Sequence, residues 1–539
     1  MAEPLRRTPA DGIVAGWDFS TGAVKCLAFD LDGNKLAEVR LPTDLWTEGG
    51  VSELNLMQLE GQAMASLRVL GAQLGPERAA RWLAGGISAT HHTAGRIDAN
   101  NVQVRRAICW NDHSLAPYHA RGLERLGGQE KVIQTVGGPW AIRYTLSHLV
   151  KDEECLPLED WKRTKRMLPH GPLAAGYLTG RFGAISISAA ASTGMLHLRS
   201  CKWSRFMLGA LQDPKLRQLA WKQLPQIVDA NEPLGELKHL PWLERQSICR
   251  GLDRHPSSMG PRQMRSSSIR GRERKQEAGP LIFPTSDDQA AGLVGGGAVD
   301  SGQMAVILGN SIVANSSSSR LPTSGTLDAM RLNWGPYLWM RCYNNGAQFL
   351  DRVLGSRPDW ERLEREARAC PPGANGVRVL PFIAPEPSLG VSAPRLEWLP
   401  REPTEPGQKF RASLEALAYL IALGVREHEE AGQKITRITV SGGIARSELM
   451  CEILATVLNR PLERLESSEG PALGAAVTAL AAYETYQRRA RKIDAPYTVA
   501  DAVARLVKFR APVAPNPAWS EAYRTGVRVL QESISPKRS

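Results

Sequence analysis

Apolar and polar positions near the start of the chain fall into three short runs rich in β-forming residues, GIVAGWDFS, AVKCLAFD and KLAEVRLPT. Turn residues separate them, first Ser20, Thr21 and Gly22 and then Leu31, Asp32, Gly33 and Asn34. The pattern predicts a meander of three strands, with Asp18 at the end of the first. Apolar residues then recur at helical spacing from about residue 56 to 74. The runs LAGGIS and RAICWND predict two further strands, and residues 124–178 are mostly helical in pattern.

The pattern restarts after residue 300. GQMAVILGNSIVANSSSS is two apolar runs around Gly309, Asn310 and Ser311, an echo of the opening strand, turn and strand. A helix is predicted over residues 410–432, a strand at ITRITVSGG and a helix at ARSELMCEILATVLN. GPALGAAVTALAAYETY reads as an Ala-rich helix with small residues at close-packing positions. Two halves that each open on a hairpin predict two related lobes with a cleft between them. The expected boundaries are residues 12–280, 281–485 and a C-terminal extension over 486–539, each half being long enough for its own core.

Composition narrows the class. Hydrophobic residues make up 42% and charged residues 23% of the 539, ordinary for a globular protein. Apolar stretches end well short of the roughly 18 residues a spanning helix needs, and no signal-peptide pattern opens the chain. No membrane association and a cytoplasmic location are therefore expected. The eight cysteines include no C-x-x-C pair, so neither a zinc site nor a disulfide framework is indicated. The net charge of +12 owes much to an Arg- and Ser-rich stretch at 250–275, read as an exposed insertion. Aromatics are only 6% and do not accompany the basic clusters, so no nucleic-acid partner is expected.

Several short motifs carry candidate chemistry. The turn Ser20, Thr21, Gly22 after Asp18 can present backbone N–H groups and hydroxyls to an anion, or can be a plain hairpin turn capped by the acid. Gly309, Asn310 and Ser311 offer the same pair of readings, and the pairing of two such hairpins suits a polyphosphate gripped from both sides. In VSGGIARSE a strand, two glycines (Gly442, Gly443) and a helix let a flat ligand approach the backbone. TSDDQAAGLVGGG sets Asp287 and Asp288 directly ahead of an apolar, glycine-rich helix; one carboxylate can cap that helix while the other handles a proton or a metal. No Walker-type phosphate loop and no H-E-x-x-H occurs. His91 and His92 have no metal-ligand partner at a suitable sequence spacing and read as ordinary residues at a strand end.

Taken in order, these residues resemble the FGGY family of carbohydrate kinases, most closely its xylulokinase branch. Asp18 to Gly22 resembles the first phosphate motif, ICWNDHS the W-x-D segment near the sugar, and SDDQAAGLVGGGAVDSGQ the block holding the catalytic aspartate. YLTGRFG…AAASTGMLHLRSCKWS and SGGIARSELMCEILATVLNRPL match two more segments, the second of them the adenosine motif, to which Arg446 belongs. The resemblance implies an α/β fold of two ribonuclease H-like (actin-like ATPase) lobes closing on ATP and a small-molecule sugar, with Mg²⁺. It implies Asp288 as the base, Gln289, Trp110 and Asp112 at the sugar, and Asp18 at the metal. Ser20, Thr21, Gly22, Gly309, Asn310, Ser311, Gly442, Gly443 and Arg446 fall to the nucleotide. Asp287 stands where the family has glycine, and is expected to be solvated or capping. The assembly is open, a homodimer included.

The sequence also departs from the family. Asn310 replaces a threonine, and Ile185 and Ser186 replace a Thr-Asp pair. The sugar-contacting Met-His pair is placed at Thr93 and Ala94, which predicts weakened xylulose binding unless His92 supplies the missing imidazole. The expected activity is therefore ATP-dependent phosphorylation of a sugar hydroxyl. A kinase for another ketose or polyol, and a catalytically weak sugar- or nucleotide-binding regulator, remain as alternatives.

Overall fold

Strand pairing divides the chain between two mixed sheets built to one plan. The computed structural model describes residues 8–237, 279–324, 327–355, 357–467 and 469–534, so the basic 250–275 stretch lies wholly outside the described residues. In the first sheet Ile13–Phe19, Ala23–Asp30 and Lys35–Pro42 form the expected antiparallel meander. Trp82–Ala89 joins it parallel to the first strand. In the second sheet Gln303–Leu308, Ile312–Ser318 and Tyr337–Tyr343 repeat the meander, and Arg437–Ser441 joins parallel to its first strand. The echo in the sequence is a real repeat: two ribonuclease H-like lobes. A separate five-stranded sheet in the first lobe includes Ala94–Ile97 and Gln103–Ile108.

The first strand explains why its run is apolar throughout. Ile13, Ala15, Trp17 and Phe19 point into a core shared with helices Leu56–Ala79 and His170–Thr179. Val14 points the other way, into a core with Ala472, Ala476 and Leu480 of helix Gly470–Ala490. A strand buried on both faces has no polar alternation to show. On the far side of the molecule, helices Pro406–Glu430, Glu448–Leu458 and Ser520–Ile534 bury Leu414, Met450 and Leu530 against Met304, Val306 and Leu308 of the second sheet. The C-terminal segment is thus part of the second lobe's core.

Between the sheets lie two helices, Asp288–Gly295 and Gly470–Ala490. Ala290 and Leu293 share a core with Ala305 and Val313 of the second sheet, while Val294 packs with the Ala-rich helix. Their approach is backbone to backbone. A Cβ at Gly16 would lie 1.9 Å from the Ala472 carbonyl oxygen, and one at Gly86 2.1 Å from that of Ala475. A Cβ at Gly295 would meet the Gly470 oxygen at 1.9 Å, and one at Gly474 the Ala291 oxygen at 1.8 Å. The small-residue pattern read from the sequence therefore marks the contact that joins the lobes.

The passage between lobes also has a defined place. Leu281–Ile282 and Ser286–Asp287 pair with Trp82–Ala89 of the first sheet, and the second sheet starts at Gln303. The chain crosses over within helix Asp288–Gly295. Among the described residues no helix is long and apolar enough to cross a membrane.

Because the side chain at position 474 would meet main chain that cannot swing aside, Gly474→Val is expected to destabilise the protein by at least the roughly 1–3 kcal/mol typical of overpacking. Urea unfolding of the variant checks this; wild-type stability would mean that the two helices are not in backbone contact.

Candidate active site

Parallel pairing brings the acids together. Asp18 lies opposite Ser88, Ser286 also lies opposite Ser88, and Asp287 lies opposite Ala89. All three strands end at this edge, and ligands of open α/β sheets bind outside the carboxyl ends of the strands. Beyond Ala89 the chain turns sharply. Thr90 N–H donates to the Phe19 carbonyl at 2.9 Å, and His92 takes a left-handed φ of 61°. This turn sets His91 beside the acids that open helix Asp288–Gly295.

The three aspartates are held differently. Asp18 is buried and accepts a hydrogen bond from the Ser88 hydroxyl at 3.1 Å. Burial pushes its carboxyl up to about 6 against the lowering influence of Lys25 and Ser88. Asp287 caps the helix, its Oδ1 accepting from Gln289 N–H at 3.1 Å and Ala290 N–H at 2.9 Å. Of the two roles expected for it, capping is the one it plays, but the side chain is buried rather than solvated. Burial raises it also to about 6. Asp288 keeps a partly exposed edge. Its Oδ1 accepts from His91 N–H at 3.2 Å and Gln289 Nε2 at 3.3 Å. Loss of hydration, and then the charges of Asp287 and Asp18, raise it well above the carboxylate range. A carboxyl so raised is a stronger base than a free aspartate.

The histidines are not ordinary strand-end residues. His91 stacks on His92 with ring centroids 3.7 Å apart, and His92 stacks on Tyr144 at 4.2 Å. Burial holds both neutral, with Arg143 adding to the effect. His92 Nδ1 lies 2.5 Å from the Ser192 carbonyl and so carries the proton, leaving Nε2 as the lone-pair nitrogen. Arg143 pairs with Asp328 of the second sheet, and the Tyr144 hydroxyl donates to the same carboxylate at 3.1 Å. Thr93 and Ala94 are fully buried, Thr93 with its hydroxyl toward the His91 carbonyl and Ala94 within its strand. His91 is thus beside the acids, and His92, the residue offered by the sequence as a source of the missing imidazole, is stacked on it just ahead of Thr93.

The residues that the resemblance assigns to the nucleotide lie on the two hairpins and just after the strand that ends beside helix Gly470–Ala490. Ser20 closes the first hairpin, donating from its hydroxyl to the Ala23 carbonyl at 2.7 Å, while Thr21 and Gly22 lie at the tip with no atom within 4 Å of where a Gly22 Cβ would be. Lys25 of this hairpin pairs with Glu469 at 2.6 Å. Gly470 lies next to Ser441, the last residue of the strand before Gly442 and Gly443. Gly442 has a φ of 96°, and a Cβ there would meet the Leu308 carbonyl oxygen at 2.4 Å. Gly309, Asn310 and Ser311 follow Leu308, with Gly309 N–H donating to the Ser311 carbonyl at 3.1 Å. Gly443 and the short helix Ile444–Arg446 come next. The first hairpin is thus tied through Lys25 to the residue before this helix, and the strand that leads into the glycine pair ends beside the helix's first residue.

The other residues that the resemblance places at the sugar are tied down by neighbours. Asp112 is buried, accepts from Ser114 N–H at 2.8 Å and pairs with Lys151 at 3.1 Å, and Trp110 is half-buried nearby in sequence. Gln289 Oε1 accepts from Asn315 Nδ2 at 3.0 Å, so a residue of the second sheet positions it. Asn315, Ser88, Arg143 and Tyr144 were not singled out from the sequence. Their partners are 26 to 185 positions away, and no local pattern marks them.

Comparison with known proteins settles the family. The N-terminal domain of the FGGY family of carbohydrate kinases matches residues 13–241, and its C-terminal domain matches residues 395–483. The chain belongs to the FGGY family. Among curated FGGY kinases it is 28% identical over 476 residues to the xylulose kinase of Streptomyces rubiginosus, covering 87% of each chain. It is 28% identical over 477 residues to the xylulose kinase of Escherichia coli, covering 86% of this chain and 88% of the other. Among solved structures, the xylulose kinase from Rhodospirillum rubrum has a TM-score of 0.76 at 19% identity over 97% of this chain and 98% of that one. The gluconate kinase from Lactobacillus acidophilus also has a TM-score of 0.76, at 16% identity over 97% of each chain. As an FGGY kinase the protein is an ATP-dependent sugar kinase.

The raised Asp18 carboxyl makes a pH prediction. Its native value, about 6, lies above the ordinary 3.8, so the native state holds the extra proton between these values. The stability it allows is fully present below the lower value and is lost as pH rises through the upper one. Asp18→Asn should therefore stabilise the ligand-free protein above about pH 7 by an amount on the order of 3 kcal/mol, and this gain should shrink steadily toward about pH 4. Urea unfolding of both proteins across this range checks it; a gain independent of pH would contradict the desolvated carboxylate.

Proposed function

We propose that the protein transfers the γ-phosphoryl group of ATP to a hydroxyl of a ketose of the xylulose class, with Asp288 as the general base. The observation that carries this reading is Asp288 itself: a carboxyl raised by its surroundings, partly exposed, and fixed by His91 N–H and Gln289. Asp288 accepts the proton of the sugar hydroxyl as the bond from that oxygen to phosphorus forms and the bond from phosphorus to the departing ADP oxygen breaks. The hairpin tips at Thr21, Gly22 and Asn310, with Gly443 and the start of helix Gly470–Ala490, offer N–H groups to the phosphates. Asp18 fits a cation, since its carboxylate is desolvated and has other acids around it. Mg²⁺ bound with the nucleotide supplies neutralisation of the phosphoryl charge, and Asp18 would hold it.

The two imidazoles support the choice of sugar. His91 stands beside the acids with His92 stacked on it, which supports the proviso that a nearby imidazole replaces the one absent at Ala94. The curated relatives that match most of the chain include xylulose kinases of several bacteria.

Asp288→Asn is expected to keep the fold and ATP binding and to lower kcat by about 10²- to 10⁴-fold. Asp287→Asn should cost far less, because asparagine caps a helix as well as aspartate does. An ADP-release assay with D-xylulose, D-ribulose, glycerol and gluconate should give its highest kcat/KM with a ketose. His92→Ala should lower that value by the equivalent of about 1–3 kcal/mol, the cost of an unpaired polar group. A preference for glycerol or gluconate, or a harmless Asp288→Asn, would overturn the reading.

A further inference from the structure

We propose that His91, Asp287 and Asp288 form a binding site for a divalent first-row transition ion such as Zn²⁺, separate from the magnesium that accompanies the nucleotide. The phosphoryl-transfer scheme uses neither the His91 imidazole nor the Asp287 carboxylate as a reacting group. Yet both are buried side chains that leave an atom unsatisfied at this point, His91 Nε2 and Asp287 Oδ2. Buried polar atoms without a partner are uncommon and costly. The imidazole and the carboxylate do not satisfy each other, because His91 Nε2 and Asp287 Oδ1 are 3.8 Å apart, beyond hydrogen-bond length.

That separation suits a shared ion. Ligands at roughly 2.0–2.2 Å from one metal lie about 3–4 Å from each other. One ligand atom each from His91, Asp287 and Asp288 falls within 4.8 Å of the other two, so a small side-chain rotation brings the third into range. An imidazole nitrogen with two carboxylates favours a first-row transition ion over magnesium, whose preference is for oxygen alone. The ligands are also held from behind. Gln289 and Ala290 N–H groups fix the Asp287 carboxylate, and His92 stacks against the His91 ring. Such outer contacts are a usual support of metal ligands. The positive charge nearest the histidines, Arg143, is itself paired with Asp328. If Asp288 is the base, an ion here takes the carboxylate that must receive the proton, so occupancy and turnover exclude each other.

The test is metal binding by the full chain without nucleotide or sugar, so the result stands whether or not the kinase reading does. Zn²⁺ is titrated against a chromophoric chelator, with Co²⁺ used in parallel for its ligand-field absorption. Wild type is compared with Asp287→Asn, which keeps the helix cap, and His91→Phe, which keeps the ring stack but removes both nitrogens. Wild type should bind one Zn²⁺ that is weakened at least about tenfold in each variant, losses of outer-shell partners alone reaching roughly 10- to 100-fold. The Co²⁺ band should shift or vanish in His91→Phe. Equal stoichiometry and affinity in all three proteins, or equal competition by Mg²⁺, would overturn the proposal. If His91→Phe does not fold, Asp287→Asn decides alone.

Discussion

Everything in this molecule that resembles a site depends on two helices touching through their main chains. Gly16 and Gly86 let helix Gly470–Ala490 lie directly on the first sheet, and Gly474 and Gly295 let it lie directly on helix Asp288–Gly295. The latter helix in turn packs on the second sheet through Ala290 and Leu293. The seam is therefore narrow and rigid, and it fixes both strand-end edges against one helix N-terminus. Side chains of ordinary size along this line would separate the sheets by several ångströms, and the contacts of Lys25 with Glu469 and of Ser441 with Gly470 would be lost.

The same seam concentrates negative charge. Asp18 ends one strand, Asp287 ends another and Asp288 begins the central helix, so three carboxylates converge where little water reaches. Their elevated proton affinities are the electrostatic consequence of that convergence. Such an arrangement opposes folding at neutral pH and favours whatever cation or proton enters. Stability given up at a reactive centre and recovered in a large packed interior is a common pattern in enzymes. Here the recovery comes from cores on the outer faces of both sheets and from the central pair of helices.

Much of this was legible along the chain. The hairpin at Ser20 to Gly22, its echo at Gly309 to Ser311, the helix after Asp288 and the Ala-rich helix from Gly470 all appear as local patterns, because turns, strand alternation and helical periodicity are short-range properties. What escaped is long-range. His91 and His92 read as ordinary because their partners, Asp287, Asp288 and Tyr144, lie tens to hundreds of positions away. Thr93 and Ala94 are as buried as the two histidines, so burial does not set the pairs apart, and only the turn after Ala89 decides which side chain faces the acids.

The sequence by itself determined the two-lobed α/β architecture, the acid at the end of the first strand, the pair of aspartates ahead of a helix and the family they belong to. Tertiary structure decided which aspartate caps and which remains reachable, that the His91 imidazole joins them with His92 stacked behind it, and that Asn315 and Arg143 come from elsewhere in the chain. The reason is physical. Capping needs only a helix two residues on, which sequence displays, whereas the proton affinity and reach of a carboxyl depend on neighbours that only folding brings within a few ångströms.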